Sequence, residues 1–84
     1  MSRRLEEGWR VFDSVENRQH DRCVDFFSRP DGSFGFEEFR RDPEDAGLWT
    51  PVEYFSATRF DTEGEARSAA AAAVVWFAEM TGPP

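Results

Sequence analysis

The fold is decided by residues 22–40, which read RCVDFFSRPDGSFGFEEFR. Two runs rich in Phe flank the tetrapeptide RPDG at residues 29–32. Proline presets its own φ for a turn and glycine accepts a positive φ, so this tetrapeptide predicts a tight turn. Aromatic and β-branched residues favour strands on either side of it. We therefore predict a β-hairpin formed by residues 22–28 and 33–40.

The flanking segments extend this hairpin into a sheet. Residues 49–60 are rich in Val, Tyr, Phe and Thr and predict a further strand, in which Pro51 indicates an edge position. The N-terminal segment is ambiguous between a helix and a strand, but Gly8 and the valines favour a strand. Residues 17–21 would then form the turn into the hairpin, and residues 41–47 a solvated loop. The helical alternative rests on the spacing of Leu5, Trp9, Phe12 and Val15 or Glu16, and the strand alternative on the alternation of Trp9, Val11, Asp13 and Val15.

The C-terminal segment predicts an α-helix over residues 62–80. Thr62 and Glu65 match a capping box, and the alanine run that follows has high helix propensity. Residues 82–84 (GPP) would end the helix. The fold class is therefore α+β: an antiparallel three- or four-stranded β-meander over residues 9–60, with one C-terminal α-helix packed on one face, in a single domain over residues 1–84. The predicted buried helix face comprises Ala66, Ala70, Ala73, Val74 and Phe77, with Met80 near its edge.

Composition narrows the classes of function. The 84 residues include 17 acidic residues against 10 arginines, and the net charge of −7 opposes undirected binding to nucleic acid or an anionic membrane. Cys23 and His20 are the only residues of their types, so an intrachain disulfide and a zinc site built from Cys and His are both excluded. The absence of Lys and Ile indicates a GC-rich, bacterial genome.

Targeting signals do not stand out in the sequence. The basic N-terminus is not followed by the apolar run of a secretory signal. The apolar run of residues 69–78 is about half the roughly 20 residues that span a bilayer. We therefore predict a cytoplasmic protein without a membrane segment, a metal or a cofactor.

The stretch DGSFGFEEF at residues 31–39 resembles two functional motifs. As an EF-hand loop with Glu38 at its twelfth position, it would place Phe27 and Arg29 where the first and third oxygen ligands belong, so the calcium interpretation fails. As the aromatic octapeptide of RNA-recognition motifs, it would offer Phe34 and Phe36 for base stacking. Acidic neighbours would repel phosphate, so we treat single-stranded nucleic-acid binding as the alternative function, and nucleic acid as an unlikely partner.

Other reactive side chains have plainer interpretations. Cys23 is expected to be a buried, inert thiol and His20 a solvated turn residue. The acidic residues that could gather a divalent ion are interrupted by arginines and are expected to be solvated. A single-layer sheet offers little cleft, so we predict that the protein is not an enzyme. The acidic residues in question are Glu37, Glu38, Asp42, Glu44 and Asp45.

The RPDGSFGFEE hairpin, the Trp49-Thr50-Pro51 strand and the alanine-rich C-terminal helix together resemble a group of short, uncharacterised bacterial proteins. The resemblance covers most of the chain. It implies one compact domain and no particular site or activity.

The aromatic residues predict an interaction surface. One helix covers one sheet face, and we expect apolar groups on the second face, which would then meet a partner. We therefore predict a non-catalytic protein-interaction module whose partner is another protein or a second copy of the chain, bound through the open sheet face or an edge strand. The candidate contact residues are Trp9, Phe34, Phe36 and Trp49.

Overall fold

The computed structural model describes residues 8–41, 48–53 and 55–81. They form one antiparallel sheet in the order β1-β2-β3-β4, followed by two short helices. This is the predicted α+β meander with four strands. The elements are β1 (Arg10–Glu16), β2 (Arg22–Ser28), β3 (Phe34–Arg41), β4 (Trp49–Glu53), a 3₁₀ helix (Phe55–Ala57), α1 (Glu63–Ala73) and α2 (Val75–Thr81).

The predicted hairpin is present as β2 and β3. Gly32 has φ +89 and its N–H donates to the Arg29 carbonyl over 3.0 Å, so glycine occupies the position that needs a positive φ. Asp31 Oδ1 accepts from the Ser33 backbone N–H over 2.9 Å and from its hydroxyl over 2.6 Å. These contacts fix the register in which Phe26 lies opposite Phe36.

Within the ambiguous N-terminal segment, residues 10–16 form a strand, as Gly8 and the valines indicated, and Leu5 lies outside the described residues. β1 pairs with β2 through residues 10–16, and a bulge interrupts the register between Val11 and Asp13. Phe12 is the extra residue. Its ring contacts Phe34 and the Asp13 carboxylate contacts Arg67 of α1, so the bulge brings two consecutive side chains to the helix-covered face.

The core lies between that face of the sheet and the two helices. Val24, Phe26 and Phe36 from the sheet pack against Ala66 and Ala70 of α1, Phe77 of α2 and Val74 between the two helices. Alanines at the contact allow α1 to lie close to the strands. Ala73, predicted to be in this face, is exposed, and Met80 is 46% exposed.

Two predicted elements differ from the structure. The strand expected over residues 49–60 ends at Glu53, and after the 3₁₀ helix the chain returns to β3 by a bridge between Phe34 and Phe60. The single predicted helix is interrupted at Val74, whose backbone is extended at φ −115 and ψ 103. Arg41, predicted to begin the loop over residues 41–47, is instead the last residue of β3. The other predicted loop residues, 42–47, and the predicted helix stop at 82–84 lie outside the described residues.

The predicted helix start is confirmed, with one difference in the capping box. The Thr62 hydroxyl accepts from the Glu65 N–H over 3.1 Å. The Glu65 carboxylate accepts from the N–H of Asp61, over 3.0 Å, instead of from Thr62. The residue that precedes the cap is therefore tied to the first turn.

Candidate interaction site

The structure separates the four predicted contact residues. Phe36 is 2% exposed and belongs to the core, where its ring centroid lies 5.0 Å from that of Phe55. Phe34 is half-buried on the same face. Trp9 and Trp49 are half-buried at opposite ends of the other face, Trp9 stacked on Phe27 at 4.7 Å and Trp49 under the Arg41 guanidinium at 5.0 Å. The four side chains therefore do not form one surface.

The buried position of Phe36 also bears on the nucleic-acid interpretation. A base can stack on an aromatic ring only if one face of the ring is accessible. The Phe36 ring packs against Phe26, Phe55 and Phe60, so stacking would require the core to open. The geometry does not fit base stacking by the Phe34–Phe36 pair.

The second face of the sheet is closed, and the expectation of an open apolar face was wrong. Its central side chains in β2 and β3 are each no more than 2% exposed. Of the described residues, Trp9 and the Arg29 guanidinium lie over the Phe27 ring. A partner therefore cannot reach this face of the central strands. The side chains concerned are Cys23, Asp25, Phe27, Glu37 and Phe39.

The carboxylates on this face have structural contacts. Asp25 Oδ1 accepts from the Ser14 hydroxyl over 2.7 Å and from the Cys23 thiol over 3.4 Å. Glu37 accepts the backbone N–H groups of Phe55 over 3.2 Å and Ser56 over 3.1 Å, which begin the 3₁₀ helix. Cys23 is buried, as expected.

Glu38, on the helix-covered face, is also buried and joins α2 to the sheet. Its Oε2 accepts from the Trp76 indole N–H over 2.9 Å and from Arg22 Nη1 over 3.2 Å. The expectation that Glu37 and Glu38 are solvated was therefore wrong, because backbone and side-chain donors far along the chain satisfy them. Asp42, Glu44 and Asp45 lie outside the described residues.

The described residues contain neither a candidate metal cluster nor a helix that could span a membrane. Among residues 8–41, 48–53 and 55–81, no three His, Cys, Asp or Glu side chains are grouped closely enough to hold a metal ion. The helices of the same residues are too short or too polar to cross a bilayer.

Exposed apolar side chains lie beside the outward backbone of the edge strand β1. Val11 is 36% exposed and Phe12 is 39% exposed. The Phe12 ring lies 6.1 Å from that of Phe34 and 6.5 Å from that of Phe26, so it forms the outer end of the aromatic row on the helix-covered face. Val11 lies opposite Phe27, at the margin of the second face. We call Val11, Phe12 and the outward backbone of β1 the β1 edge.

The outward backbone groups of β1 follow from its pairing with β2. The Asn17 N–H donates to the Arg22 carbonyl over 3.0 Å, and the Arg22 N–H donates to Asn17 Oδ1 over 3.1 Å, so residues 17 and 22 occupy a hydrogen-bonded position of the ladder. Bonded and non-bonded pairs alternate along an antiparallel ladder. The N–H and C=O groups of Glu16 and Ser14 therefore point away from β2, and no strand of the described residues pairs with them.

The Ser14 N–H has a local partner on this edge. It donates to Asp13 Oδ1 over 2.9 Å, which agrees with its outward direction. Asp13 Oδ2 accepts from Arg67 Nη2 over 2.8 Å, and Arg67 Nε donates to Glu63 Oε2 over 2.9 Å. The hydrogen bond to Asp13 raises the pKa of the Arg67 guanidinium, and the Glu63 contact adds to that effect.

The opposite edge of the sheet is less suited to pairing. β4 has five residues and carries Pro51, which has no N–H to donate. The prediction that Pro51 marks an edge strand is confirmed by the strand order.

The sequence analysis did not single out Val11 and Phe12 as exposed apolar residues. Alternation assigned Val11, Asp13 and Val15 to one face, and only the bulge at Phe12 separates Val11 from the other two. No local sequence signal marks that bulge.

Comparisons with known proteins add nothing to this geometry. No family model matches the chain, and no curated protein and no solved structure matches it. The resemblance to short bacterial proteins stays a prediction.

Proposed function

We propose that the protein is a non-catalytic interaction module that binds an extended segment of another protein along the β1 edge. The observation that carries the proposal is the outward direction of the Ser14 and Glu16 backbone groups beside the exposed Val11 and Phe12. An extended segment satisfies such groups in series by adding a strand to the sheet, while side-chain contacts give selectivity.

The exposed Phe12 would supply the apolar contact in this mode. Its ring already packs on Phe26 and Phe34, so it is held in place before a partner binds. A rigid aromatic group loses little conformational entropy on binding. The partner segment is therefore expected to place an apolar side chain over Phe12.

The net charge of the protein limits the classes of partner that it can bind. A net charge of −7 favours a neutral or basic segment and opposes nucleic acid and anionic membranes. The contacts of Glu37 and Glu38 favour a structural role for these carboxylates over an acid–base role. We place this activity in the bacterial cytoplasm, as the sequence predicts.

The test is a tagged pull-down with wild-type protein and two variants, run with and without nuclease. Glu16→Pro removes an outward N–H and the exposed contact between Glu16 and His20, and it leaves the β2 ladder intact, because that N–H points away from β2. Leu48→Ser is the matched control, since Leu48 is 67% exposed and lies outside the β1 edge.

The proposal predicts a nuclease-resistant protein that wild type and Leu48→Ser capture and Glu16→Pro does not. The captured protein is then purified, and its affinity for each variant is measured directly by calorimetry. Equal affinity for wild type and Glu16→Pro would refute binding at the β1 edge. Capture that nuclease abolishes would favour nucleic-acid binding.

A further inference from the structure

The Asp13 carboxylate already accepts a backbone hydrogen bond that an added strand would use. Its Oδ1 accepts the outward N–H of Ser14 over 2.9 Å, and its Oδ2 accepts from Arg67 over 2.8 Å. A partner strand would use the Ser14 N–H for its own carbonyl. The two acceptors therefore compete for one donor.

Arg67 holds the carboxylate in this position from α1. Its guanidinium also bonds Glu63 and lies 4.7 Å from the Phe26 ring centroid, so it has contacts on three sides. The bridge thus connects the edge strand to the helix that covers the core. Asp13 and Arg67 are both partly exposed, so solvent reaches the bridge.

We propose that Asp13 is a gate on the β1 edge that prevents β1 from pairing with a second copy of the chain. The inference rests on the proposed function, because it concerns the same outward groups. Unprotected edge strands pair with one another, and charged side chains are a common protection. A protein partner with additional contacts to Phe12 can displace Asp13, whereas a second copy gains too little from pairing to do so.

Self-pairing of β1 through its outward groups would have a defined register. Two β1 edges in antiparallel order would place Ser14 opposite Glu16 of the second copy, with Val15 on the two-fold axis, because Ser14 and Glu16 carry the outward groups. This register uses only residues 13–17 and avoids the bulge at Phe12. It requires the Ser14 N–H, which Asp13 occupies.

The experiment measures self-association by sedimentation equilibrium for wild type and four variants. Asp13→Ala removes the acceptor. Asp13→Asn keeps an oxygen acceptor and removes the charge. Glu63→Gln removes a nearby charge and leaves the Asp13 contacts in place. The double variant Asp13→Ala/Glu16→Pro removes both the gate and an outward donor.

Asp13→Ala is expected to self-associate about 3- to 10-fold more tightly than wild type, which corresponds to one exposed hydrogen bond. The double variant should return to the wild-type value. Asp13→Asn and Glu63→Gln should change association less than Asp13→Ala. Denaturation curves check that each variant is folded at the temperature used.

Three results would overturn the proposal that Asp13 is a gate. They are no gain in association for Asp13→Ala, an equal gain for Asp13→Asn, which would indicate charge repulsion alone, and association that survives Glu16→Pro. None of them contradicts the proposed function, since wild-type protein could still bind its partner along β1. Conversely, a gate confirmed by these variants together with equal partner affinity for Glu16→Pro would refute only the proposed function.

Discussion

Gly35→Ala should destabilise the protein strongly, because Gly35 lies directly opposite Phe27 on the closed face. A Cβ at residue 35 would lie 2.8 Å from Phe27 Cε1 and Cζ and 2.9 Å from Arg29 Nη2. The Phe27 ring is fully buried, stacked on Trp9 at 4.7 Å with the Arg29 guanidinium 4.9 Å from its centroid. Neither the Phe27 ring nor the Arg29 guanidinium can move away without disturbing the stack with Trp9.

The magnitude follows from two opposing effects. Overpacking a buried site costs about 1–3 kcal/mol. Replacing Gly by Ala restores about 0.4–1 kcal/mol by restricting the unfolded chain. Because the clash involves a trapped ring, we expect a net loss of about 2 kcal/mol, or about 8–16 °C in Tm for a domain of this size. The total stability of such a chain is about 4–13 kcal/mol.

Urea denaturation monitored by tryptophan fluorescence measures this change. Gly64→Ala is the matched control, because the nearest atom to its added Cβ is 3.9 Å away and Ala in a helix is favoured over Gly by up to about 1 kcal/mol. Phe27→Leu introduced together with Gly35→Ala should recover part of the loss. Two results would refute the described packing of this face. One is that Gly35→Ala is as stable as wild type, and the other is that both alanine variants are destabilised equally.

Three further changes test other contacts. Trp76→Phe removes a donor from the buried Glu38 carboxylate and should cost about 1–3 kcal/mol in urea denaturation; no loss would contradict the 2.9 Å contact. Thr62→Ala removes the helix cap and should cost about 1 kcal/mol, and unchanged stability would argue against the cap. Hydrogen bonds from Ser33 lower the pKa of Asp31 below its ordinary 3.8, so its stabilising contribution is present above that pH and is lost as the pH falls through the lowered value. Asp31→Asn should flatten this acid dependence in denaturation curves, and an identical pH profile would contradict it.

Local signals were enough to predict the sheet. The RPDG turn, the phenylalanines around it and the Thr62 cap are each encoded within a few residues, and each appears in the structure as predicted. The elements that differ from the prediction depend on contacts between residues distant in sequence. The strand after Trp49 ends early because the Glu37 carboxylate binds the N–H groups of Phe55 and Ser56, which local alternation cannot reveal.

Contacts between residues distant in sequence also explain the helix interruption and the difference between the predicted and the accessible site residues. An alanine run predicts an unbroken helix, but the interruption at Val74 leaves Val74 and Phe77 buried while Trp76 reaches Glu38. At the site, the bulge at Phe12 determines which β1 side chains are accessible. Sequence pattern identified aromatic residues as candidates, but burial excluded Phe36 and favoured Phe12 instead.

Amide hydrogen exchange of β1, followed by NMR, shows directly whether a partner adds a strand along the β1 edge. In the free protein the Glu16 N–H points away from β2 and should exchange quickly, whereas the Val15 N–H, in a bonded pair with β2, should exchange slowly. On addition of the captured protein partner, we expect the Glu16 N–H to become protected while the Val15 N–H stays protected. Fast exchange at Glu16 in the complex, with new protection confined to other strands or to the helices, would contradict it.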